Sequence, residues 1–543
     1  MFKIREAFLT VIFLFILFQP VFSNGSEDGK PAKYILIHLD SVASYYLETE
    51  MEKGNLPNIK KTIEEGGLIS HAVTYFPSKT PTVISSLRTG TPIEETTLVG
   101  WVGENRETGE IIGGTRTFIK MMWSKSRLSA TNLLYGIPGL DRLAGIALDN
   151  VPDYLEKYRT LEFYWYAVDS YGHFFGEESY LHKLHVFDKH FGRLMNRLDD
   201  DVNVIVYADH GMLFGEGIRT DKNIKDTFED RIRKVHYPNV YVDDEVDIST
   251  LAREIVEQTS IDFTFYRSGI NHITGYHQDG TVYIRKENSR FCYDYEDSDP
   301  FGYDTLGYNG DCYTADDWLE MTYDYTYPVV PIKMFGFLSN PGSGDILALL
   351  DKPKYSQTSY SRRGNHGGIT NRDISIPIIL RGPDVEFLYD RDTMWLQHLF
   401  TEIDNADFNY RPARSEHYIS MWHNPDRNIN TVQLAFSPYY RLAFGAELHF
   451  SDPMHFEHYQ FWGKFDLFRS YLARIWIGTG IDIENGDPQP MGFVRHKLTY
   501  RNLSAISTLS TTGNHRFALE YRFVKPLSLQ VVNFNSFGLR VHF

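Results

Sequence analysis

Apolar residues follow two rhythms along this chain, and the change between them near residue 390 divides it. Before that point, unbroken apolar runs alternate with helix-spaced ones, which is the order of an α/β protein. Tyr34 to Leu39 is a continuous run of strand length that stops at Asp40-Ser41. Leu56-Pro57-Asn58 introduces a helix over Ile59 to Glu65, Gly66-Gly67 closes it, and a strand near Ala72 to Tyr75 follows. A second buried strand spans Leu161 to Val168 and stops at Asp169. Leu181, Leu184, Phe187, Phe191, Leu194, Met195 and Leu198 then recur at helical spacing, a core-facing stripe. Val202 to Ala208 stops at Asp209, and Ile374 to Leu380 stops at Gly382-Pro383. Three strands thus end at an acid, where open α/β sheets place their sites.

After residue 390 the period becomes two. Met394 to Phe400 reads as a linking helix or loop, and Asn405 to Pro412 as a polar boundary. Leu442, Phe444, Ala446, Leu448 and Phe450 alternate with Ala443, Gly445, Glu447 and His449, and Phe517 to Phe523 and Leu539 to Phe543 repeat the pattern. Residues 411–543 therefore form a separate all-β domain. Segments near ten residues with terminal aromatics, and a chain ending on Phe543, suit an outer-membrane barrel of roughly eight strands. A soluble sandwich uses the same period with its apolar face inward. Between these regions, about 218–340 reads as an insert with strand-like pieces at His236 to Asp247 and Thr281 to Lys286. Its acidic, tyrosine-rich stretch from Tyr293 to Tyr327 is expected to be irregular solvated surface.

Charge and cysteine content narrow the partners. Lys3 and Arg5 precede the apolar core Phe8 to Phe18, so residues 1–23 read as a signal peptide and the protein as exported to the cell envelope, outer membrane or periplasm. A net charge of -17 without a basic block argues against nucleic acid as a bulk partner. An anionic substrate then needs local positive charge, which metal ions can supply. The only cysteines, Cys292 and Cys312, are expected to pair, closing a loop of about twenty residues for ~3 kcal/mol.

The candidate chemistry gathers around Tyr75 to Gly90 (YFPSKTPTVISSLRTG). Thr80-Pro81 reads as a helix start, with Thr80 as N-cap, so its hydroxyl faces free N–H groups and the positive end of the helix dipole. Asp169 and His173 lie at i and i+4 and converge on one metal if they share a helical turn. Asp209-His210 adds another acid–imidazole pair. His366, flanked by glycines in GNHGG, is expected in an exposed, flexible turn.

The set LIHLD, FPSKTPT, VDSYGH, YADHGM and GNHGG, in that order along the chain, resembles the type I phosphodiesterase/nucleotide pyrophosphatase family of the alkaline phosphatase superfamily. The resemblance covers roughly 33–390 in pieces. It implies an alkaline-phosphatase-like α/β core with a central, mostly parallel sheet, followed here by the all-β domain. It implies two zinc ions, one held by Asp40, Asp209 and His210 and touching Thr80, the other by Asp169, His173 and His366. It implies that Thr80, with Thr82 as the alternative, attacks a phosphate ester and becomes phosphorylated, the product being hydrolysis of a phosphodiester or pyrophosphate. Other divalent transition metals fit the same donors. Lys79 precedes the nucleophile, and the family's phosphoryl-binding Asn position falls near Trp101, with Asn105 displaced, so these three are the substrate-binding candidates. A phosphomonoesterase, a phospho-group transferase on lipid or glycan, and an envelope protein with a vestigial site are the alternatives. A sulfatase lacks its Cys/Ser-x-Pro-x-Arg signature here.

Overall fold

The computed structural model describes residues 32–543 except 88–89, 97, 115–132, 156, 244, 309, 358–361, 404–416, 440, 452–454 and 525. Residues 1–23, expected as a signal peptide, and the polar boundary at Asn405 to Pro412 lie outside the described residues.

Six strands build the central sheet: β1 (Lys33–Leu39), β2 (Gly67–Val73), β3 (Thr160–Trp165), β4 (Val202–Tyr207), β5 (Ser375–Arg381) and β6 (Thr393–Trp395), in the order β6-β2-β5-β4-β1-β3. β1 runs parallel to β3 and β4, β6 runs parallel to β2, and only β5 opposes its neighbours. Every residue of β3 and β4 is buried, which explains why these runs are unbroken rather than alternating. The helices that matter for the site are α1 (Ser44–Glu52), α2 (Pro57–Glu65), α3 (Thr80–Leu87), α4 (Arg142–Asp149), α5 (Ala167–Phe175) and α6 (Glu177–Met195). Leu184, Phe187, Phe191 and Leu194 on α6 are fully buried, as their spacing predicts.

Two boundaries differ from the sequence reading. The run Leu161 to Val168 is a strand only to Trp165, and Ala167 already opens α5, so Asp169 sits in a first helical turn. The expected linker at Met394 to Phe400 supplies part of β6 and then turns helical.

The insert is an ordered layer, not a solvated loop. Eight antiparallel strands between Ile232 and Leu349 form a second sheet, and Ile346–Leu349 pairs in its interior with Phe263–Gly269 and Asn239–Val242. Helix Ile248–Gln258 lays Leu251, Ala252, Ile255 and Val256 against it. The tyrosine-rich stretch is internal in part: Tyr293, Tyr303 and Trp318 are fully buried, while Tyr295 is exposed. Tyrosine tolerates this because its hydroxyl finds partners, as when Tyr303 donates to Tyr327 O at 2.5 Å and Tyr308 to Tyr293 O at 2.6 Å. Cys292 and Cys312 face each other across two paired strands and are joined as a disulfide. Mass spectrometry of a non-reduced digest is expected to recover one cross-linked peptide pair; two free thiols would overturn the pairing.

The C-terminal region closes on itself as a barrel of ten strands rather than about eight: β7 (Tyr418–Asn424), β8 (Ile429–Tyr439), β9 (Leu442–Ser451), β10 (His455–Arg469), β11 (Ala473–Glu484), β12 (Asp487–Tyr500), β13 (Leu503–Ser510), β14 (Arg516–Val524), β15 (Leu527–Val532) and β16 (Ser536–His542). β7 pairs with β16 to complete it. Tight turns leave enough chain for the two extra strands. Its polarity is inverted relative to a soluble protein. Glu447, Lys464, Asp466, Arg495, Glu520 and Arg540 are buried, while Phe461, Leu498, Leu529 and Phe537 are exposed. The interior carboxylates are paired: Glu447 with Arg516, Asp466 with Arg469 and Arg474, and Glu520 with Arg540 at 2.5 Å. A sandwich needs the opposite arrangement.

Turns 470–472 and 501–502 dock the barrel on the α/β core. Tyr471, fully buried, donates to Glu162 O of β3 at 2.7 Å. Asn150, just after α4, donates to Tyr471 O at 3.0 Å and Thr499 O at 2.9 Å, and accepts from Arg501 N at 2.7 Å. Arg469 donates to Tyr158 Oη at 2.6 Å.

Candidate metal site

Two parallel neighbours, β1 and β4, deliver Asp40 and Asp209 side by side just past their ends. Ser41 turns the chain away with φ of 69°, a left-handed value that costs a non-glycine residue energy. Its N–H donates to Asp209 Oδ1 at 3.2 Å and its hydroxyl to Gly211 O at 2.9 Å, so the turn is held from both sides. Gly211 itself has to be glycine, because a Cβ there would stand 1.9 Å from Arg372 O.

α3 begins at Thr80, and the Val83 N–H bonds to Lys79 O at 3.1 Å. Lys79 is therefore the cap residue and Thr80 the first residue of the helix, which starts one position earlier than the sequence reading. Thr80 Oγ1 lies 3.1 Å from His210 Nε2. Thr82, fully buried, leaves its Oγ1 without a hydrogen-bond partner.

The three expected imidazoles share one device. His173 Nδ1 bonds to Gly364 O at 2.8 Å, His210 Nδ1 to Gly211 O at 3.0 Å, and His366 Nδ1 to Ser78 O at 2.7 Å. A carbonyl only accepts, so each Nδ1 carries a proton, and in the neutral ring the lone pair lies on Nε2. Those lone pairs point at carboxylates. His210 Nε2 is 3.6 Å from Asp40 Oδ1 and 3.3 Å from Asp209 Oδ2; His173 and His366 Nε2 are 3.2 and 3.5 Å from Asp169 Oδ1. Asp40 Oδ1, Asp169 Oδ1 and Asp209 Oδ2 are buried with no hydrogen-bond partner. Lone pairs facing buried carboxylate oxygens are a repulsive arrangement that a cation between them relieves, so the residues fit divalent metal. The His210 and His366 rings stack at 3.6 Å, which brings the two halves of the cluster together. His366 is buried, contrary to the expectation of an exposed turn, because its loop is tied down at Ser78.

Electrostatics agree with that fit. Burial, then the charges of Asp209 and Asp169, hold the Asp40 carboxyl well above its ordinary range. Burial raises Asp169 and Asp209 too, but the adjacent histidines outweigh it and leave both lowered. Burial, with His210 and His173 beside it, keeps His366 neutral by pushing its pKa well down.

Three supporting residues were missed by the sequence reading. Tyr164 donates to Asp40 Oδ2 and leaves Oδ1 free. His38 Nε2 lies 3.1 Å from Asp209 Oδ1, the oxygen that already accepts from the Ser41 and His210 N–H groups. By proximity alone, donors form the trios Asp169/His210/His366 and His38/Asp40/Asp209. His38 nonetheless reads as a positioning residue, because it addresses the oxygen facing away from His210. A polar residue inside the run ILIHLD was the available signal. Arg362 Nη1 lies 3.3 Å from the His173 ring and is a cation beside the cluster.

The substrate-binding candidates are placed differently from one another. Lys79 donates to Tyr237 O, and burial pushes its ammonium down to about 8. Gly367, with φ of 107°, packs against it; a Cβ there would meet Lys79 Cε at 3.0 Å. Trp101 is part-exposed and follows Gly100, which lies against the Lys79 stem. The Asn105 carboxamide is used within its own turn, accepting from Glu107 N at 2.9 Å and Thr108 N at 3.1 Å.

A mostly parallel sheet whose strand ends deliver such donors beside a helix-borne hydroxyl is the framework of the alkaline phosphatase superfamily, and the chain is a hydrolase of that class. It belongs to the type I phosphodiesterase/nucleotide pyrophosphatase family, whose model matches residues 34–133 and 125–368, more than half of its length. Among solved structures, human ectonucleotide pyrophosphatase/phosphodiesterase 5 is similar, with 16% identity, a TM-score of 0.43 and coverage of 68% of this chain and 93% of that one. Phosphonoacetate hydrolase from Sinorhizobium meliloti 1021, in complex with phosphonoacetate, gives 14%, 0.42, 69% and 94% on the same measures. No curated protein sequence matches the chain.

Proposed function

We propose that the chain is an exported two-metal phosphodiesterase that works through a phosphothreonine intermediate and is held at the outer membrane by its barrel. The observation that carries the catalytic part is the set of three Nε2 lone pairs and three unpartnered carboxylate oxygens around Thr80. In this reading Asp40, Asp209 and His210 hold one ion beside Thr80, and Asp169, His173 and His366 hold the other. Two divalent ions, zinc by preference, would supply Lewis acidity that lowers the pKa of the Thr80 hydroxyl and of water and offsets phosphoryl charge.

The chain's own residues do the rest. α3 presents Thr80 Oγ1 at its first turn, where the helix dipole favours the charge that develops on the attacking oxygen. Oγ1 attacks phosphorus, the P–O bond to the leaving alcohol breaks, and the phosphoryl group rests on Thr80. Water then displaces Thr80, and a phosphomonoester departs. Tyr164, His38 and the Ser41 N–H orient the carboxylates by occupying the oxygens that face away from the substrate. Arg362 offers the phosphoryl oxygens a planar cation that the displaced Asn105 does not. A substrate panel on the zinc-loaded protein is expected to show bis(4-nitrophenyl) phosphate turned over faster than 4-nitrophenyl phosphate. The reverse order would make the protein a monoesterase.

For the membrane part, the inverted polarity of the barrel is the supporting observation: carboxylates are ion-paired inside and large apolar side chains face out. No helix among the described residues is long and apolar enough to cross a membrane. The described turns on the side of the α/β core, 470–472 and 501–502, have two or three residues, whereas those at the other end run from two (485–486) and three (533–535) to four (425–428) and five (511–515). Short turns mark the periplasmic end of such barrels, so the core lies in the periplasm. Cell fractionation is expected to leave the mature chain in the membrane pellet until detergent is added. Recovery in the soluble periplasmic fraction would remove the anchor.

A further inference from the structure

An apolar ridge runs from the barrel dock to the metal cluster, and neither the catalytic cycle nor the core accounts for it. Ile137, Leu140, Leu143 and Ile146 recur every three residues and are 37–45% exposed. Consecutive turns link them, with Leu140 N–H bonded to Ile137 O at 2.9 Å and Leu143 N–H to Leu140 O at 2.9 Å. The buried side of α4 is made by Ala144, Ala147 and Leu148, so the exposed positions are not a misplaced core face.

Both ends of the ridge are anchored. At one end α4 runs into Asn150, which bonds to the backbone of both barrel turns. Those turns lie at the level where a spanning barrel meets lipid head groups. At the other end, Asp141, next to Leu140, accepts from Tyr171 Oη at 2.8 Å. The Tyr171 ring packs 5.0 Å from Phe175 on α5, the helix that carries Asp169 and His173. Phe174 and Phe175 are themselves 50% and 46% exposed immediately after His173. Six large apolar side chains thus lie open to solvent in continuity with the barrel, an arrangement that marks an interaction surface rather than scattered surface residues.

We propose that this ridge rests in the leaflet that holds the barrel, and that the site beside Phe174 and Phe175 takes phosphodiesters carried by membrane lipids. The proposal rests on the anchored-phosphodiesterase reading above and adds its substrate class. A tether fixes the core within reach of the bilayer, and a second apolar contact fixes its orientation. The site then works at the membrane surface, where the local concentration of phosphodiester is set by the lipid itself. The step balances as an ordinary hydrolysis: one P–O bond of the lipid diester breaks, water supplies the hydroxyl to phosphorus and the proton to the leaving alcohol.

The test uses the full mature chain reconstituted in vesicles of phosphatidylethanolamine and phosphatidylglycerol. Since both native cysteines are joined, a single added cysteine takes a nitroxide label. Leu143→Cys and Ile146→Cys are expected to be more accessible to oxygen than to a water-soluble nickel chelate. Ile270→Cys, on a hairpin turn 82% exposed, serves as the water-facing reference and is expected to show the opposite preference. Water-like accessibility at 143 and 146, or spin–spin broadening from a second copy of the chain, would overturn the lipid contact. In parallel, phosphorus NMR is expected to show lipid diester converted to monoester, with Leu143→Glu/Ile146→Glu slowing this at least tenfold. The same double variant is expected to leave turnover of bis(4-nitrophenyl) phosphate unchanged. Cleavage of the soluble diester but not of lipid overturns the substrate assignment alone. Cleavage of neither overturns the phosphodiesterase reading, while the spin labels still decide the membrane contact.

Discussion

Thr80→Ala is expected to lower phosphodiester turnover by at least about 10³-fold while the protein keeps its fold and its second metal. The loss follows from position. Thr80 Oγ1 is the one hydroxyl among the described residues within hydrogen-bond distance of His210 Nε2, at 3.1 Å. Removing it takes away the attacking atom but leaves Asp169, His173 and His366 in place. The fold survives because Thr80 opens its helix rather than capping it; the capping carbonyl belongs to Lys79. Thr82→Ala is the control. Its Oγ1 has no partner, so truncation removes a hydroxyl that contributes nothing and leaves a space about the size of one methyl group, worth ~1 kcal/mol. Steady-state kinetics of the two variants decide the matter: a dead Thr82→Ala with an active Thr80→Ala would move the nucleophile two residues along.

Removal of metal is expected to abolish hydrolysis altogether, with two ions per chain found by elemental analysis of the active protein. Activity with one ion or none would sink the mechanism. The pH dependence of binding has a definite sign. Asp40 has its folded pKa raised by burial and by Asp209 and Asp169, so it takes up a proton first as pH falls and metal is released from its half of the cluster first. Asp209, held low beside His210 and His38, stays ionised through that range. The metal-free fold behaves correspondingly. A carboxyl raised above its unfolded value favours the folded state at low pH and loses that contribution as pH rises toward the folded value. Adding metal at neutral pH removes the penalty, and calorimetry is expected to show a rise in Tm, equivalent to about 4 kcal/mol at a thousandfold excess over Kd.

The places of Asp40, Asp169, His173, Asp209 and His210 were legible in the sequence because each follows an unbroken apolar run or sits at i and i+4, patterns that backbone geometry imposes, whereas His366 between glycines follows neither. Asp40, Asp209 and His210 follow β1 and β4 as their runs imply. What the runs did not carry is which side-chain atom faces inward. That depends on Tyr164, His38 and three backbone carbonyls brought in from 124 to 288 residues away or from the next residue. Hydropathy also misjudged 293–327, since a tyrosine counts as half polar until its hydroxyl has a partner. In the barrel, the period fixed the strands but not the direction of the faces. Only the pairing of Glu447 with Arg516 and Glu520 with Arg540 decides that the charged side turns inward.

The Tyr471 bond to Glu162 has a further consequence for how the molecule is built. β3 is the outermost strand on its side of the central sheet, and its far flank is where the barrel turn sits. An uncovered edge of this kind is a template for another chain. Until the barrel docks, the α/β core carries an adhesive margin made wholly of buried-type residues, Thr160–Trp165. A core cut free near residue 403 therefore presents that margin to its own copies. In the intact chain the barrel turn covers that margin.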